Sequence, residues 1–359
     1  MCTALIAMSG GVDSSVAAYL TKTQGYTCTA VTMKLFYNEG IGVGHENTCC
    51  SLQDVEDARS VAFLLGIPFF VFNFAADFKE KVIGRFVEAY QNGATPNPCI
   101  DCNRFMKFEK LLFRAKQLDM TYVVTGHYAR VEHNGAGGRH ILKKAVDDLK
   151  DQSYVLYAMT QEQLSHTLFP LGGYRKVEVR EIAEKQGFSN AKKHDSQDIC
   201  FVRNGSYADF IRQYTGCECP KGRFMDTNGN DLGEHKGIIH YTVGQRKGLG
   251  LSAAAPLYVR SVCAGSNTVV LGTSDSLYSK ALIARDINLI PLSRIDAPLK
   301  VRAKIRYKQP EQPAIVRQID DNTIRVEFDV PQRAITKGQA VVLYDGDIVI
   351  GGGTIHEAI

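Results

Sequence analysis

Three cysteines stand where a thiol could do chemistry. Cys99 and Cys102 are spaced C-x-x-C in TPNPCIDCN, residues 95–103, and Cys200 lies in HDSQDICFV, residues 194–202. A C-x-x-C pair can ligate a metal, form a reversible disulfide, or supply a nucleophile and its partner. The ordinary alternative, inert thiols packed in a core, has about equal weight for each cysteine taken singly. Ten cysteines in a chain with no sign of export argue against structural disulfides, because a reducing cytosol keeps thiols reduced. Cys2, Cys28, Cys49, Cys50, Cys217, Cys219 and Cys263 read as small buried hydrophobes or idle thiols. The C-x-C of Cys217 and Cys219 lacks the companion pair of a metal site.

A second chemical signal is SGGVDSS, residues 9–15, set between an apolar strand-like run and the helical VAAYLT. Two glycines let backbone approach a phosphate closely, while Ser9, Ser14 and the amides of an opening helix offer donors to its oxygens. The bland alternative is a strand-to-helix turn with a serine cap. Position after an N-terminal parallel strand, with several donors together, favours the anion site. The loop lacks the lysine of G-x-x-x-x-G-K-S/T and the spacing of G-x-G-x-x-G, so it is neither of the commoner nucleotide loops. Without that lysine, transfer of a terminal phosphoryl group is disfavoured.

These residues need a scaffold, and the first half of the chain predicts one. ALIAM (4–8), CTAVTM (28–33), PFFVF (68–72) and YVVT (122–125) read as strands. Helical patterns lie between them, such as the one from Asp54 that places Val55, Ala58, Val61, Ala62 and Leu65 on one face before Gly66. Alternating strand and helix implies a doubly wound, mainly parallel α/β sheet covered on both faces, with ligands at the carboxyl ends of its strands. After a helical pattern at 176–186, turn signals at DTNGNDLG (226–233), DDNT (320–323) and YDGD (344–347) separate short alternating runs. They predict antiparallel β-structure, a small central domain followed by a barrel. The expected domains are 1–205, 206–275 and 276–359, since 359 residues exceed one ordinary core. A composition 45% hydrophobic and 22% charged is that of a soluble globular protein. ALIAM is too short for a signal segment and nowhere do about 18 apolar residues run together, so a cytoplasmic protein with no membrane partner is expected.

The S-G-G-x-D-S string resembles the pyrophosphate loop of ATP pyrophosphatases, which cleave ATP between its α and β phosphates and adenylate a substrate. With the cysteine stretches it completes a pattern similar to the bacterial tRNA-specific 2-thiouridylases, the MnmA family. AMSGGVDSS, TPNPCIDCNRFMKF, VTGHYARV, KDQSY, LFPLGGYRKVEVREIA, DSQDICF, YTVGQRKGLG, KIRYKQ and GGGTI carry the resemblance along nearly the whole chain. It implies ATP-dependent conversion of the wobble uridine of glutamate, glutamine and lysine tRNAs to 2-thiouridine. ATP and Mg2+ are the implied cofactors, tRNA the substrate, and a cysteine desulfurase or sulfur-relay protein the sulfur donor. The uridine C2 oxygen is a poor leaving group until AMP is placed on it, and sulfur must then arrive as a strong nucleophile, a thiolate or persulfide. By resemblance Cys200 carries the persulfide and Cys102 is the nucleophile that helps release its sulfur, leaving a disulfide for an external reductant. Ala7, Met8, Ser9, Gly10, Gly11, Val12, Asp13, Ser14, Met33 and Gly126 are implied around ATP, with Asp13 near Mg2+ and pyrophosphate and Gly126 open to adenosine for want of a side chain. Asn97, Pro98 and Cys99 are implied at the target base, and His127, Lys150, Asp151, Gln152, Arg306, Tyr307 and Gln339 at tRNA. For Met33 and His127 the ordinary alternatives are a core methionine and a structural histidine.

Cys99 is a departure, standing where many members of the family have aspartate, and it could move a proton only with a lowered pKa. The same departure raises an alternative in which Cys99, Cys102 and Cys200 ligate a 4Fe–4S cluster with one iron open. A zinc site would need a fourth ligand nearby. For RNA, a net charge of +4 is too small to decide, so clustering must. In KVRAKIRYKQ, residues 300–309, Lys300, Arg302, Lys304, Arg306 and Lys308 recur at every second position. One strand would show all five on one face and Val301, Ala303, Ile305 and Tyr307 on the other. Such a row follows a phosphate backbone or protects a solvated edge. Two rival functions are another ATP pyrophosphatase ligase with incidental cysteines, and a non-catalytic tRNA-binding redox sensor.

Overall fold

The four apolar runs of the first half form β1 (Thr3–Ala7), β2 (Thr27–Lys34), β3 (Phe69–Asn73) and β4 (Tyr122–Val124). A hairpin of β5 (Arg130–His133) and β6 (His140–Lys143) follows, and then β7 (Thr167–Leu168). The sheet order is β3-β2-β1-β4-β7 and every pairing is parallel. The computed structural model describes residues 2–36, 52–133, 138–194, 199–202 and 206–359. Cys49, Cys50 and residues 195–198 of the DSQDICF stretch lie outside the described residues.

Strand alternation sends β1 side chains to opposite faces, and each face has its own core. Ala4 and Ile6 pack with Val16, Ala17 and Leu20 of α1 (Val12–Thr23), Ala58, Val61 and Ala62 of α2 (Leu52–Leu64), and Val179 and Ala183 of a later helix, Lys176–Lys185. Leu5 packs on the other face with Val31, Val123 and Leu111, Leu112 and Ala115. The sheet is therefore doubly wound, as the alternating pattern predicts. In α2 the periodicity holds for Ala58, Val61, Ala62 and Leu65, all buried, but Val55 is half-buried and Asp54 is buried beside it.

The chain divides into two compact units, residues 1–82, 99–203 and 347–349 in one and 83–98, 204–346 and 350–359 in the other. In the first, α3 (Ala75–Phe78) leads into a π-helical segment, Lys79–Gly84, within which the chain passes into the second unit and its α4 (Arg85–Gln91). Next, α5 (Pro98–Asp101), a π-helical segment Cys102–Lys110 and α6 (Leu111–Gln117) form one continuous helical run. Short helices α7 (Ser153–Leu156) and α8 (Gln161–Ser165) precede α9 (Lys176–Lys185).

In the second unit α4 packs on α10 (Tyr207–Thr215), with the Phe86 ring 5.8 Å from Tyr207 and 6.2 Å from Phe210. A four-stranded sheet follows: β8 (Gly222–Met225), β9 (Asp231–His235), β10 (Tyr258–Cys263) and β11 (Thr268–Gly272), in the order β10-β11-β8-β9. DTNGNDLG is the turn of the antiparallel β8–β9 hairpin, but β8 and β11 pair in parallel, against the expectation of a purely antiparallel half. The last strands are β12 (Tyr278–Leu289), β13 (Leu299–Lys304), β14 (Gln312–Asp320), β15 (Thr323–Arg333), β16 (Ala340–Asp345) and β17 (Ile348–Ala358). They run β12-β15-β14-β13-β16-β17, and pairing of β12 with β17 closes them into a barrel. Among the described residues no helix is long and apolar enough to cross a membrane.

Candidate active site at the carboxyl edge of the parallel sheet

β1 ends at Ala7, and the chain turns through Ser9–Gly10–Gly11 into α1. Gly10 has φ +74°, and a Cβ there would lie 2.3 Å from the Asp54 carbonyl oxygen, so only glycine fits. Gly11 is the N-cap of α1 and, among the described residues, no side chain caps it, so the turn is not a serine cap. Ser14 Oγ and Ser15 Oγ instead donate to the Gly11 carbonyl at 3.0 and 3.1 Å, and the Ser9 amide donates to Ser14 Oγ at 3.2 Å. The loop thus holds its own shape through the hydroxyls expected to face an anion. Met8 and Val12 are buried, so what they can offer a ligand is main chain.

Positive charge reaches this loop from far along the chain. Lys176, the first residue of α9, places Nζ 2.7 and 2.8 Å from the two Asp13 carboxylate oxygens, and Tyr128 OH donates to Asp13 Oδ1 at 2.8 Å. Lys193 Nζ lies 3.3 Å from the Gly10 carbonyl oxygen, 2.6 Å from Asp54 Oδ1 and 2.7 Å from Asp57 Oδ2. Asn190 Nδ2 donates to the same Gly10 oxygen at 3.0 Å and to Ser15 Oγ at 2.9 Å. Asp54 is buried in α2 because Lys193 pairs with it. The loop's own sequence carries no lysine, and Lys176 and Lys193 reach it from 163 and 183 positions further along the chain. The one signal for Lys176 was its place in the GGYRKVEVR stretch, and Lys193 had none.

Gly126 follows β4, and its bare face meets α1 rather than open space. A Cβ there would lie 2.7 Å from the Ser14 amide nitrogen and 2.8 Å from the Asp13 carbonyl carbon. The missing side chain therefore admits the helix backbone at this strand end. Met33 lies within β2, one residue before its end, and packs half-buried on the Leu5–Val31 core, as an ordinary core methionine does.

Both thiol-bearing segments are anchored at the same edge of the sheet. Pro98 begins α5, where its missing N–H costs no helical hydrogen bond. Cys99 follows on that turn, exposed, and half-buried Cys102 opens the π-helical segment. Three residues apart on one helical run, the two thiols share a face. That run is held to α3 by a Lys110–Asp77 ion pair of 2.6 Å, and to the π-helical segment that follows α3 by Lys81, which bridges to Glu109 at 3.1 Å and lies over the Phe105 ring. Its Phe108 packs 6.0 Å from the His127 ring and 5.9 Å from Phe169, just past the ends of β4 and β7. On the other side, Phe201, next to half-buried Cys200, stacks edge-on to Phe78 of α3 at 5.8 Å. Phe78 also meets Phe36, just past the end of β2, at 5.9 Å. Among the described residues no three His, Cys, Asp or Glu side chains are placed to hold a metal ion. Cys99, Cys102 and Cys200 are accordingly not among such groups in the described residues.

The expected tRNA residues divide into those that brace the fold and those on the surface. His127 is 7% exposed, the setting of the structural alternative. Lys107 Nζ lies 3.4 Å from its Nε2 and Thr125 Oγ1 2.7 Å from its Nδ1. An ammonium only donates, so Nε2 accepts and Nδ1–H donates to the threonine. Burial, with the Lys107 charge adding to it, holds the imidazole pKa well below its ordinary value. Asp151 accepts from the amides of Ala145 and Ser153 and from Ser153 Oγ, and Gln152 Oε1 accepts from the Tyr128 amide. Lys150, beside them, is half-buried. In the second unit Gln339 Nε2 donates to the Thr95 carbonyl at 2.8 Å, and Asn97 is half-buried.

The basic row departs from expectation. β13 ends at Lys304, so Lys300, Arg302 and Lys304 share a strand face while Arg306 and Lys308 do not continue it. Arg306 is half-buried and donates to the Ala334 carbonyl at 2.8 Å and Thr336 Oγ1 at 3.1 Å; Tyr307, placed by alternation on the face opposite the basic row, lies past the end of β13 and is exposed. Pairing with both β14 and β16 makes β13 an interior strand, which removes the edge-protection alternative.

Comparison with known proteins covers the whole chain. Residues 2–204 match a family profile described as a tRNA methyl transferase HUP domain. Residues 208–273 match a tRNA methyl transferase PRC-barrel domain and 279–355 an aminomethyltransferase beta-barrel domain. The tRNA-specific 2-thiouridylase MnmA of Clostridioides difficile (strain 630) is 52% identical over 355 residues, 99% of this chain and 98% of the relative. The tRNA-specific 2-thiouridylase MnmA 1 of Thermoanaerobacter sp. (strain X514) is 53% identical over 356 residues, with the same coverage of both. A solved 4-thiouridine synthetase–RNA complex with bound ATP aligns at 19% identity and TM-score 0.38, covering 60% of this chain and 50% of that one. By identity of this level along its full length, the chain belongs to the family of tRNA-specific 2-thiouridylases, MnmA.

Proposed function

We propose that this protein is an ATP-dependent tRNA 2-thiouridylase whose reaction is assembled at the carboxyl edge of the parallel sheet. The observation that carries the reading is convergence: the glycine loop, the run opening at Cys102 and the segment holding Cys200 are all anchored at that edge. In such sheets that edge is where ligands bind.

MgATP enters as substrate, its phosphates against Ser9–Ser14 and the N-terminus of α1. Ala7, Met8 and Val12 contribute main chain, and Met33 and Gly126 border the nucleotide. Lys176 supplies positive charge beside Asp13 that the loop itself lacks. The uridine C2 oxygen attacks the α-phosphorus, pyrophosphate leaves, and the oxygen becomes part of a good leaving group. Cys200 carries a terminal sulfane sulfur. The Cys102 thiolate attacks Cys200 Sγ, forms the Cys102–Cys200 disulfide, and releases the terminal atom as sulfide. Sulfide adds at C2 and AMP departs with the former carbonyl oxygen. The two cysteines supply the two electrons that reduce the sulfane sulfur, and an external dithiol then reopens their disulfide. The sulfane sulfur comes from a cysteine desulfurase or a relay protein.

Asn97, Pro98 and exposed Cys99 line the entry for the flipped base. Lys150, Arg306, Tyr307 and Gln339 lie along the tRNA, with His127, Asp151 and Gln152 shaping the backbone beneath it. The division of labour follows domains 1–205, 206–275 and 276–359, and the setting is the cytoplasm. To test the reading, purified protein is given tRNA, MgATP and a persulfide donor, and pyrophosphate and 2-thiouridine are measured. Cys102→Ser and Cys200→Ser should each lower thiolation by about a hundredfold or more. Undiminished thiolation in both variants would favour an ATP pyrophosphatase with incidental cysteines. No pyrophosphate from the wild type would favour a non-catalytic tRNA binder.

A further inference from the structure

We propose that Lys193 is a positioning residue for the glycine loop, setting the Gly10–Gly11 peptide so that its N–H is offered to a polyphosphate; the inference rests on the ATP-dependent reading above. Lys193 stands in the turn after α9, which is itself tied down: Arg180 Nη1 donates to the carbonyls of Ala191 at 3.1 Å and Lys193 at 3.3 Å. From that turn Asn190 Nδ2 and Lys193 Nζ both reach the Gly10 carbonyl oxygen, at 3.0 and 3.3 Å. A trans peptide is planar, with its C=O and N–H on opposite sides. Holding the Gly10 oxygen toward residues 190–193 therefore aims the Gly11 N–H away from them. Amides fixed in this way at a helix start make an anion site that needs no rearrangement when the ligand arrives.

Asn190 indicates how strongly the sequence commits to this geometry. It is 3% exposed, and its Oδ1 has no hydrogen-bond partner among the described residues. An unpaired buried acceptor is costly, yet the amide is turned to give both its hydrogen bonds to the Gly10 oxygen and Ser15 Oγ. Lys193 has a second effect, through charge. Asp54 and Asp57 have side chains only 12% and 14% exposed, and the Asp54 backbone touches the loop at Gly10. Two carboxylates so close to the loop repel phosphates, and the ammonium between them offsets that field. Burial disfavours the charged lysine, but hydrogen bonds and attraction from Asp54 and Asp57 outweigh it and raise its pKa.

Calorimetry on the full chain with the Mg2+ complex of α,β-methylene-ATP, and with AMP, tests the inference. Lys193→Met should weaken the triphosphate analogue at least tenfold and AMP less than threefold, because the loop grips phosphates beyond the first. Lys193→Arg should stay within threefold of wild type. Adding Asp57→Asn to Lys193→Met should recover at least threefold, a gain that a purely structural lysine does not produce. If Lys193→Met is unfolded by circular dichroism, Lys193→Gln takes its place with the same thresholds. Unchanged triphosphate affinity, equal weakening of AMP and analogue, or no recovery with Asp57→Asn overturns the inference. A wild type that binds neither nucleotide overturns the ATP-dependent reading instead.

Discussion

Replacing Asp13 by asparagine should destabilise the first unit through a lysine left behind, and the cost can be worked from the geometry. Lys176 Nζ contacts both Asp13 oxygens, with side-chain exposures of 11% for the lysine and 30% for the aspartate. Removing one partner of a buried ion pair costs about 3–5 kcal/mol, mostly for the uncompensated charge. Water at the partly exposed aspartate takes up part of this, so about 2–3 kcal/mol is expected for Asp13→Asn. For a folding unit of this size that lowers the melting temperature by roughly 4–12 °C. In the double variant Asp13→Asn with Lys176→Met no charge is stranded, and a loss of only about 1 kcal/mol is expected. The double-mutant cycle, measured by denaturant and thermal unfolding without nucleotide, should return a coupling of at least about 1 kcal/mol. Losses that add to within about 0.5 kcal/mol would refute the claim that the two side chains form one buried unit.

Gly10→Ala should be as damaging as losing a core side chain. It combines a φ of +74° with a Cβ 2.3 Å from the Asp54 oxygen, and a cost of at least about 2 kcal/mol is expected, read as a lower melting temperature. The buried neutral His127 makes stability pH-dependent. Its pKa is lowered on folding, so the unfolded chain binds more protons below pH ~6.5, and stability falls as pH drops through that window. His127→Gln should flatten this slope in urea unfolding across pH 5–7, on the order of one proton or less, and an unchanged slope would remove the histidine from the account. Lys300→Gln and Arg302→Gln should each reduce the salt dependence of tRNA binding by about one unit of log–log slope if the β13 row meets phosphates; unaltered slopes would exclude it.

The parallel sheet was legible because its interior strands, buried on both faces, are written as continuous apolar runs, and the edge strand β3 keeps an apolar run with Phe70 and Val71 exposed. β1 to β4 fall within a residue or two of those runs. The hairpins were legible through turn chemistry, as at DTNGNDLG and DDNT. What could not be read was long-range partnership. Asp13 meets Lys176 163 residues later, and Gly10 meets Lys193 183 residues later, and no local pattern encodes either pairing. The parallel β8–β11 pair was missed for the same reason. Alternation misled at Arg306, where the side chain leaves the strand direction to cap the Ala334 carbonyl. At Gly126 the residue type marks a close approach, and that the approach includes the α1 backbone required the fold. The thiols were found by motif; their shared anchorage on α3, through Lys110–Asp77 and Phe201–Phe78, required the fold.

The account turns on activation of the uridine C2 oxygen by AMP before the sulfur held by this chain's cysteines replaces it. That step leaves an isotopic record. When tRNA carrying 18O at C2 of the target uridine is thiolated with unlabelled MgATP, one 18O should appear in the phosphate of the AMP for each 2-thiouridine formed. Unlabelled AMP alongside full 2-thiouridine formation would contradict the mechanism at its first step.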